Sequence, residues 1–234
     1  MRTFHHIPVT VEICCDGADA ARKAFAAGAD RVELCRDLAV GGVTPSREDI
    51  LSTVAASGDA LVHVLIRPRG GDFVFSEEEV EQMLSDIRFC GEAGADAVVV
   101  GALAPEGAVD RKTGSRLVGA AREAGLGVTW HRAIDVAADI FEALDEVISL
   151  DVDRVLTSGG APSAWEGRET LAEMIRETER QFMDRLETAR DPHKVIILPG
   201  CGVTAGNVRD LLAATGATEV HGSRLEILDA LNEL

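Results

Sequence analysis

The sequence predicts an α/β protein, a single (β/α)8 TIM barrel spanning residues 1–234, and three observations carry that expectation. Short runs rich in Val, Ile and Leu alternate eight times with helical stretches over 234 residues. Helical stretches close on a glycine just before the next apolar run, as at Ala27–Asp30, Ala93–Asp96 and, as TGAT, Thr215–Thr218. The turn after the first run, Asp16-Gly17-Ala18, lacks the G-x-G-x-x-G fingerprint that would favour an open doubly wound sheet.

Taken in order, the expected strands are VTVEICC from Val9, RVELC from Arg31, and residues 61–67, 96–103, 127–133, 153–159, 194–200 and 218–223. Helices are expected from Asp16 to Gly28 and over residues 46–57, 76–94, 110–124, 138–150, 164–189 and 204–214. Ser76 with Glu79 three residues on makes a capping box that fixes one helix start. Residues 177–193 are charged and irregular and read as a surface extension before the seventh strand. No linker or composition shift divides the chain.

Charge narrows the function classes. With 40 acidic and 23 basic residues the net charge is −17, which opposes binding to nucleic acid or to an anionic lipid surface. No stretch approaches the ~20 consecutive apolar residues that span a bilayer, and MRTFHHIPVT has no basic region leading into an apolar one. A soluble, cytoplasmic protein is expected. Five cysteines, without the dense even spacing of a secreted scaffold, are expected as free thiols.

Strand alternation says what faces the barrel axis. In residues 61–67, Val62, Val64 and Ile66 point toward the helices, while His63, Leu65 and Arg67 point inward. The same parity groups Glu12 with Cys14, Glu33 with Cys35, Thr129 with His131 and Glu219 with His221. Unpaired charge there would cost several kcal/mol per group, so these glutamates are expected to pair with Arg67 and the histidines or to bind something. A register-fixing network of ion pairs and a ligand site are the two readings. The second is favoured because the polar groups gather at strand C-termini, where barrels place their active face.

The loops at that face carry Arg67, Arg69 and Asp72; His131, Arg132 and Asp135; Ser158; and Gly200, Cys201 and Gly202. Gly200–Gly202 before Thr204, and Ser223-Arg224 after the last strand, are candidate anion sites, although a tight chain reversal would also need such glycines. Read as an enzyme acting on a small anionic or sugar-like substrate, the chain offers Glu12 or Glu33 as general base and His131 as acid or base. Arg67 with Arg69 would then orient the anion. Asp72, Arg132, Asp135, Ser158, Gly200, Gly202, His221 and Ser223 would complete the substrate site.

Glu-x-Cys occurs twice, as Glu12-Ile13-Cys14 and Glu33-Leu34-Cys35, at corresponding ends of two neighbouring strands. Two approaching thiolates suit Cu(I), a soft ion content with few ligands, better than tetrahedral zinc; each Cys can also be a small buried hydrophobe. Cys15, on the opposite strand face, and helical Cys90 read as packing.

The segments EICCDG, ADRVELCRDLAVGGVTPS, IRPRGGDF, VTWHRAID, RVLTSGG and LPGCGVTAGN resemble the CutC copper-homeostasis family, in that order and over about Val9 to Arg224. The resemblance implies a cytosolic (β/α)8 barrel that forms homodimers or higher homo-oligomers and binds or traffics copper, with Cys14 and Cys35 in the ligand positions. Two departures stand out: Pro199-Gly200-Cys201-Gly202 puts Cys201 where the family has glycine, and Trp130 replaces a common Phe. Cys201 reads as a third sulfur or as an incidental change, and the tail after Arg224 is short.

Overall fold

The computed structural model describes residues 2–4, 7–186 and 193–232. Its strands are β1 (Arg2–Phe4), β2 (Ile7–Asp16), β3 (Arg31–Cys35), β4 (Leu61–Leu65), β5 (Ala97–Val100), β6 (Gly127–Trp130), β7 (Arg154–Thr157), β8 (Ile196–Pro199) and β9 (Glu219–Gly222). Between and after them lie α1 (Ala18–Ala26), α2 (Arg47–Ala56), α3 (Glu77–Ala93), α4 (Arg111–Glu123), α5 (Ile140–Ser149), α6 (Arg168–Leu186), α7 (Val208–Thr215) and α8 (Glu226–Asn232).

Strands β2 to β8 pair in chain order, all parallel, and β9 pairs with the other side of β2. The sheet thus curls until its two ends meet: a Cβ on Gly200, just past β8, would lie 3.3 Å from the ring of His221 on β9. The result is a TIM-like barrel of eight parallel strands with helices outside. Among the described residues no ladder joins β8 to β9, so the expected closure is made by side-chain packing at that seam. Pro199 gives a physical reason. Gly200 donates its N–H to Thr157 on β7, so the preceding nitrogen faces β9, and a proline nitrogen has no hydrogen to give.

Other departures from the expected elements are local. The short strand β1, paired antiparallel with β2, and helix α8 in the tail were not anticipated. Strand β4 ends at Leu65, and β6 ends at Trp130 before a single 3-10 turn over Arg132–Val136. Helix α6 begins at Arg168, and residues 187–189 of the expected helix lie outside the described residues. Helix α7 starts only at Val208, because Asn207 Oδ1 accepts from the Thr204 N–H and shapes a turn instead. The Ser76–Glu79 capping box forms at the start of α3, and Gly94 closes that helix in the left-handed conformation.

Two separate apolar cores result. Val62, Val64 and Ile66 pack outward with Met83 and Ile87 of α3 in the large layer between strands and helices. Each such side chain contributes about 1.5–3 kcal/mol on burial, so this layer supplies most of the drive to fold. A second, small apolar cluster of Cys35, Leu65 and Val99, with Cys14 packed against it, lies inside the barrel. It leaves room for polar groups around it.

Candidate functional site

The deepest interior layer is a network of ions. Arg31, the first residue of β3, shares the inward face with Glu33 and Cys35. Its Nε lies 2.5 Å from Glu12 and its Nη2 2.5 Å from Glu219, and Arg154 from β7 meets Glu219 at 2.9 Å. The expected partner of these glutamates, Arg67, is elsewhere: its guanidinium donates to the carbonyls of Val40, Gly42 and Gly71 and stacks on Phe73. Burial alone would raise the Glu12 carboxyl, but Arg31, followed by the hydrogen bond from His221, holds it well below the usual carboxylate range. His63, 3.4 Å from Glu12, is pushed down to about 3 by its burial and is neutral.

Above this layer parallel register places Glu12 beside His221 and Cys14 beside Glu33. Cys14 and Cys35, on adjacent strands, bring their Sγ atoms to 3.7 Å. His221 Nδ1 donates to Glu12 Oε1 at 2.7 Å, and its Nε2 faces Glu33 Oε2 at 3.5 Å. Cys14 Sγ, a Glu33 oxygen and a His221 nitrogen all lie within 4.8 Å of one another. The Cys14 thiol is pushed up, first by its hydrogen bond with Cys35 and then by burial and Glu33. Burial raises Glu33 as well, more than His221 lowers it. For His221 burial works downward, and Glu33 with Glu12 overcomes it to raise the imidazole.

This layer is the wall of a cavity of about 680 Å³. Of the expected site residues, Cys14, Cys35, Glu33, Arg67, His131, Arg132, Asp135, Gly202, His221 and Ser223 line it. His131 Nδ1 accepts from the Ala133 N–H at 3.2 Å, so its proton sits on Nε2, a buried atom with no acceptor among the described residues. Burial, with Arg67 adding to it, lowers His131 to about 3 and keeps it neutral. A Cβ at Gly101 would lie 2.5 Å from that ring, so glycine is needed for the imidazole to sit there.

Five expected residues fall outside the lining. Glu12 is sealed beneath it. Gly200 packs against Leu156 and His221 at the seam. Arg69 binds Glu79 at 2.6 Å and Asp72 at 3.0 Å, tying its loop to the start of α3. Ser158 donates to the carbonyl of Ala161 and is held by Asp135, which also accepts from Thr157 and from the Gly160 N–H. Ile66 still packs outward and Arg67 lines the cavity as alternation expects, but past the end of β4 the Arg67 guanidinium turns to loop carbonyls instead of the glutamates.

Residues Leu38, Val40, Phe73, Val136 and Val203 also line the cavity and were not anticipated; they sit in loops or short 3-10 turns beyond the strand ends, where strand alternation no longer sets side-chain direction. Cys201 lines it too, but its Sγ donates to the Pro162 carbonyl at 3.3 Å. Its φ of +75° is the backbone state that glycine adopts without strain, which explains the glycine expected there. Cys15 and Cys90 are buried in the outer core, their thiols pushed up to about 12 by burial.

The CutC family model matches residues 9–226. The chain belongs to the CutC family. A CutC family protein of Xylella fastidiosa strain Temecula1 is 46% identical over 220 residues, covering 94% of this chain and 76% of the relative. One from Parabacteroides distasonis is 41% identical over 218 residues, covering 93% and 84%. Among solved structures, a CutC from Streptococcus agalactiae, named as a candidate copper homeostasis protein, superposes with a TM-score of 0.81 at 29% identity, covering 93% of this chain and 99% of that one. The deoxyribose phosphate aldolase of Aeropyrum pernix matches with a TM-score of 0.65 at 13% identity, over 96% of this chain and 89% of its own, a likeness of fold alone. No helix among the described residues is long and apolar enough to cross a membrane.

Proposed function

We propose that this CutC-family chain is a cytoplasmic copper-homeostasis protein that takes up Cu(I) as cargo on Cys14 and Cys35. The observation that carries the reading is the 3.7 Å approach of two free thiols on adjacent strands at the wall of an accessible cavity. Metal–thiolate bonds of about 2.3 Å set two sulfurs roughly 3.8 Å apart at a tetrahedral angle and roughly 4.6 Å apart on a linear two-coordinate ion, so the pair needs to open by no more than about 1 Å to share one. Thiolate is the soft donor that selects Cu(I). Binding displaces both thiol protons, which removes the hydrogen bond that now raises Cys14. The Streptococcus agalactiae relative's name supports copper as the cargo. Homodimers or higher homo-oligomers remain part of the proposal.

Titration of Cu(I) against a competing chelator tests it. One ion per chain is expected, with affinity reduced by about 100-fold or more in Cys14→Ser and in Cys35→Ser, beyond the ~10–100-fold typical of outer-shell partners. Unchanged affinity in both variants contradicts it.

A second reading has its own observation. The cavity of about 680 Å³ far exceeds one ion and matches the ~300–1,000 Å³ of small-molecule sites, and His131 in its lining carries a buried N–H with no acceptor among the described residues. On this reading the chain is an enzyme for a small anionic or sugar-like substrate, with Glu33 as base and His131 as hydrogen-bond donor and acid. A screen of small carboxylates and phosphate esters by thermal shift is expected to give a binder that His131→Ala loses; a binder indifferent to both His131→Ala and Glu33→Gln contradicts the assignment.

A further inference from the structure

The geometry around Cys14 points to two overlapping metal sites that share its sulfur, and we propose that Cu(I) on Cys14–Cys35 competes there with a divalent ion of borderline softness, such as Zn(II), on Cys14, Glu33 and His221. The copper half rests on the reading above; the divalent half stands on its own geometry.

Three features build the second site. Its donors are one sulfur, one carboxylate oxygen and one imidazole nitrogen, all within 4.8 Å of one another. The 3.5 Å between His221 Nε2 and Glu33 Oε2 falls in the roughly 3.3–3.8 Å range that two ligands of a tetrahedral ion keep, and is long for a charge-assisted hydrogen bond. The second feature is the support behind one ligand: Glu12, paired with Arg31, accepts a His221 proton from Nδ1 at 2.7 Å, which leaves Nε2, facing Glu33 and Cys14, as the nitrogen that would give up its proton to an ion. A carboxylate behind the far nitrogen of a metal-binding histidine is the usual support for that ligand, and Arg31 in turn anchors Glu12. Third, all three residues line the cavity, so a tetrahedral ion would keep one coordination position open to water or a small ligand, the arrangement of exchangeable rather than structural zinc sites.

Cys35 does not join this group. It packs with Leu65 and Val99, and its Sγ donates to the Cys15 carbonyl at 3.4 Å. The two donor sets therefore diverge from one shared atom. A soft, low-coordinate ion is drawn to the sulfur pair, and a borderline ion to the mixed set. One thiolate cannot serve both at full strength, which makes occupancy a matter of which ion is present.

The test uses Co(II) as the spectroscopic stand-in for Zn(II), with Zn(II) by competition, on the full chain. Wild type is expected to bind one Co(II) with a sulfur-to-cobalt charge-transfer band, and one equivalent of Cu(I) is expected to abolish that band. Cys35→Ser is expected to lower Cu(I) affinity by about 100-fold while leaving Co(II) within about threefold; His221→Ala is expected to do the reverse; Cys14→Ser is expected to lose both. Glu33→Gln, nearly isosteric, carries the same expectation as His221→Ala and serves if that variant does not fold. Absence of Co(II) binding with Cu(I) retained overturns this inference alone. Co(II) bound as described without any Cu(I) binding overturns the copper reading and the competition with it. Both ions bound together at full affinity overturns the shared sulfur.

Discussion

The lower and upper layers of the barrel interior use the same kinds of residue to opposite effect. Below, Arg31 is held between Glu12 and Glu219, and Arg154 completes the set, so each charge has an opposite charge within 2.9 Å. Above, Cys14 meets Cys35 and Glu33, Cys35 reaches only a backbone carbonyl besides Cys14 among the described residues, Glu33 has His221 no nearer than 3.5 Å, and the His131 Nε2–H has no acceptor among them. Below, the ions are paired and fix register, although the neutral His63 Nδ1 beside Glu12 has no hydrogen bond among the described residues; above, the thiols and Glu33 have bonds left to offer. Burial is nearly equal in the two, with Glu12 1% and Glu33 5% exposed, so burial does not separate structure from site. The close pairing of opposite charges does.

The sharpest way to break this contrast is to unpair the lower layer. Arg31→Met would leave two buried carboxylates without their shared cation, at a cost of about 3–5 kcal/mol. At about 2–4 °C per kcal/mol for a chain of this size, the melting temperature is expected to fall by roughly 6–20 °C, whereas Cys14→Ser in the upper layer should move it by no more than about 4 °C. Calorimetry checks both, and equal shifts would erase the distinction.

A smaller effect sharpens the upper layer. His131 is held near 3 in the fold against about 6.5 in the unfolded chain, so between those values the unfolded state binds the extra proton. Its contribution is present above about pH 6.5 and is lost as pH falls toward 3. The stability difference between wild type and His131→Gln, by urea unfolding, is expected to narrow by roughly 2 kcal/mol from pH 8 to pH 5. A difference that stays flat across that window would mean that the imidazole is not buried as a neutral donor.

Most of the architecture was legible because it rests on periodicity. Eight apolar runs separated by glycine-closed helices give the strand count, and the parity of β2, β3 and β9 correctly sets Glu12, Cys14, Glu33, Cys35 and His221 on the inward face. The pairing partner was misplaced for a reason within the same rule. Arg31 shares parity with Glu33 and Cys35 and was there to be found, while Arg67 lies past the end of β4, where its guanidinium turns to loop carbonyls. The seam between β8 and β9 turns on Pro199, a single residue that the apolar pattern does not single out, and the apolar loop wall at Leu38, Val40 and Phe73 depends on how loops fold over the barrel mouth.

The central claim is that the unsaturated upper layer offers its two sulfurs to Cu(I), and X-ray absorption of the protein loaded with one equivalent of Cu(I) tests it most directly. The expected spectrum has two sulfur scatterers in the first shell, falling to one or none in Cys35→Ser. A first shell of nitrogen and oxygen alone, unchanged in that variant, would contradict it.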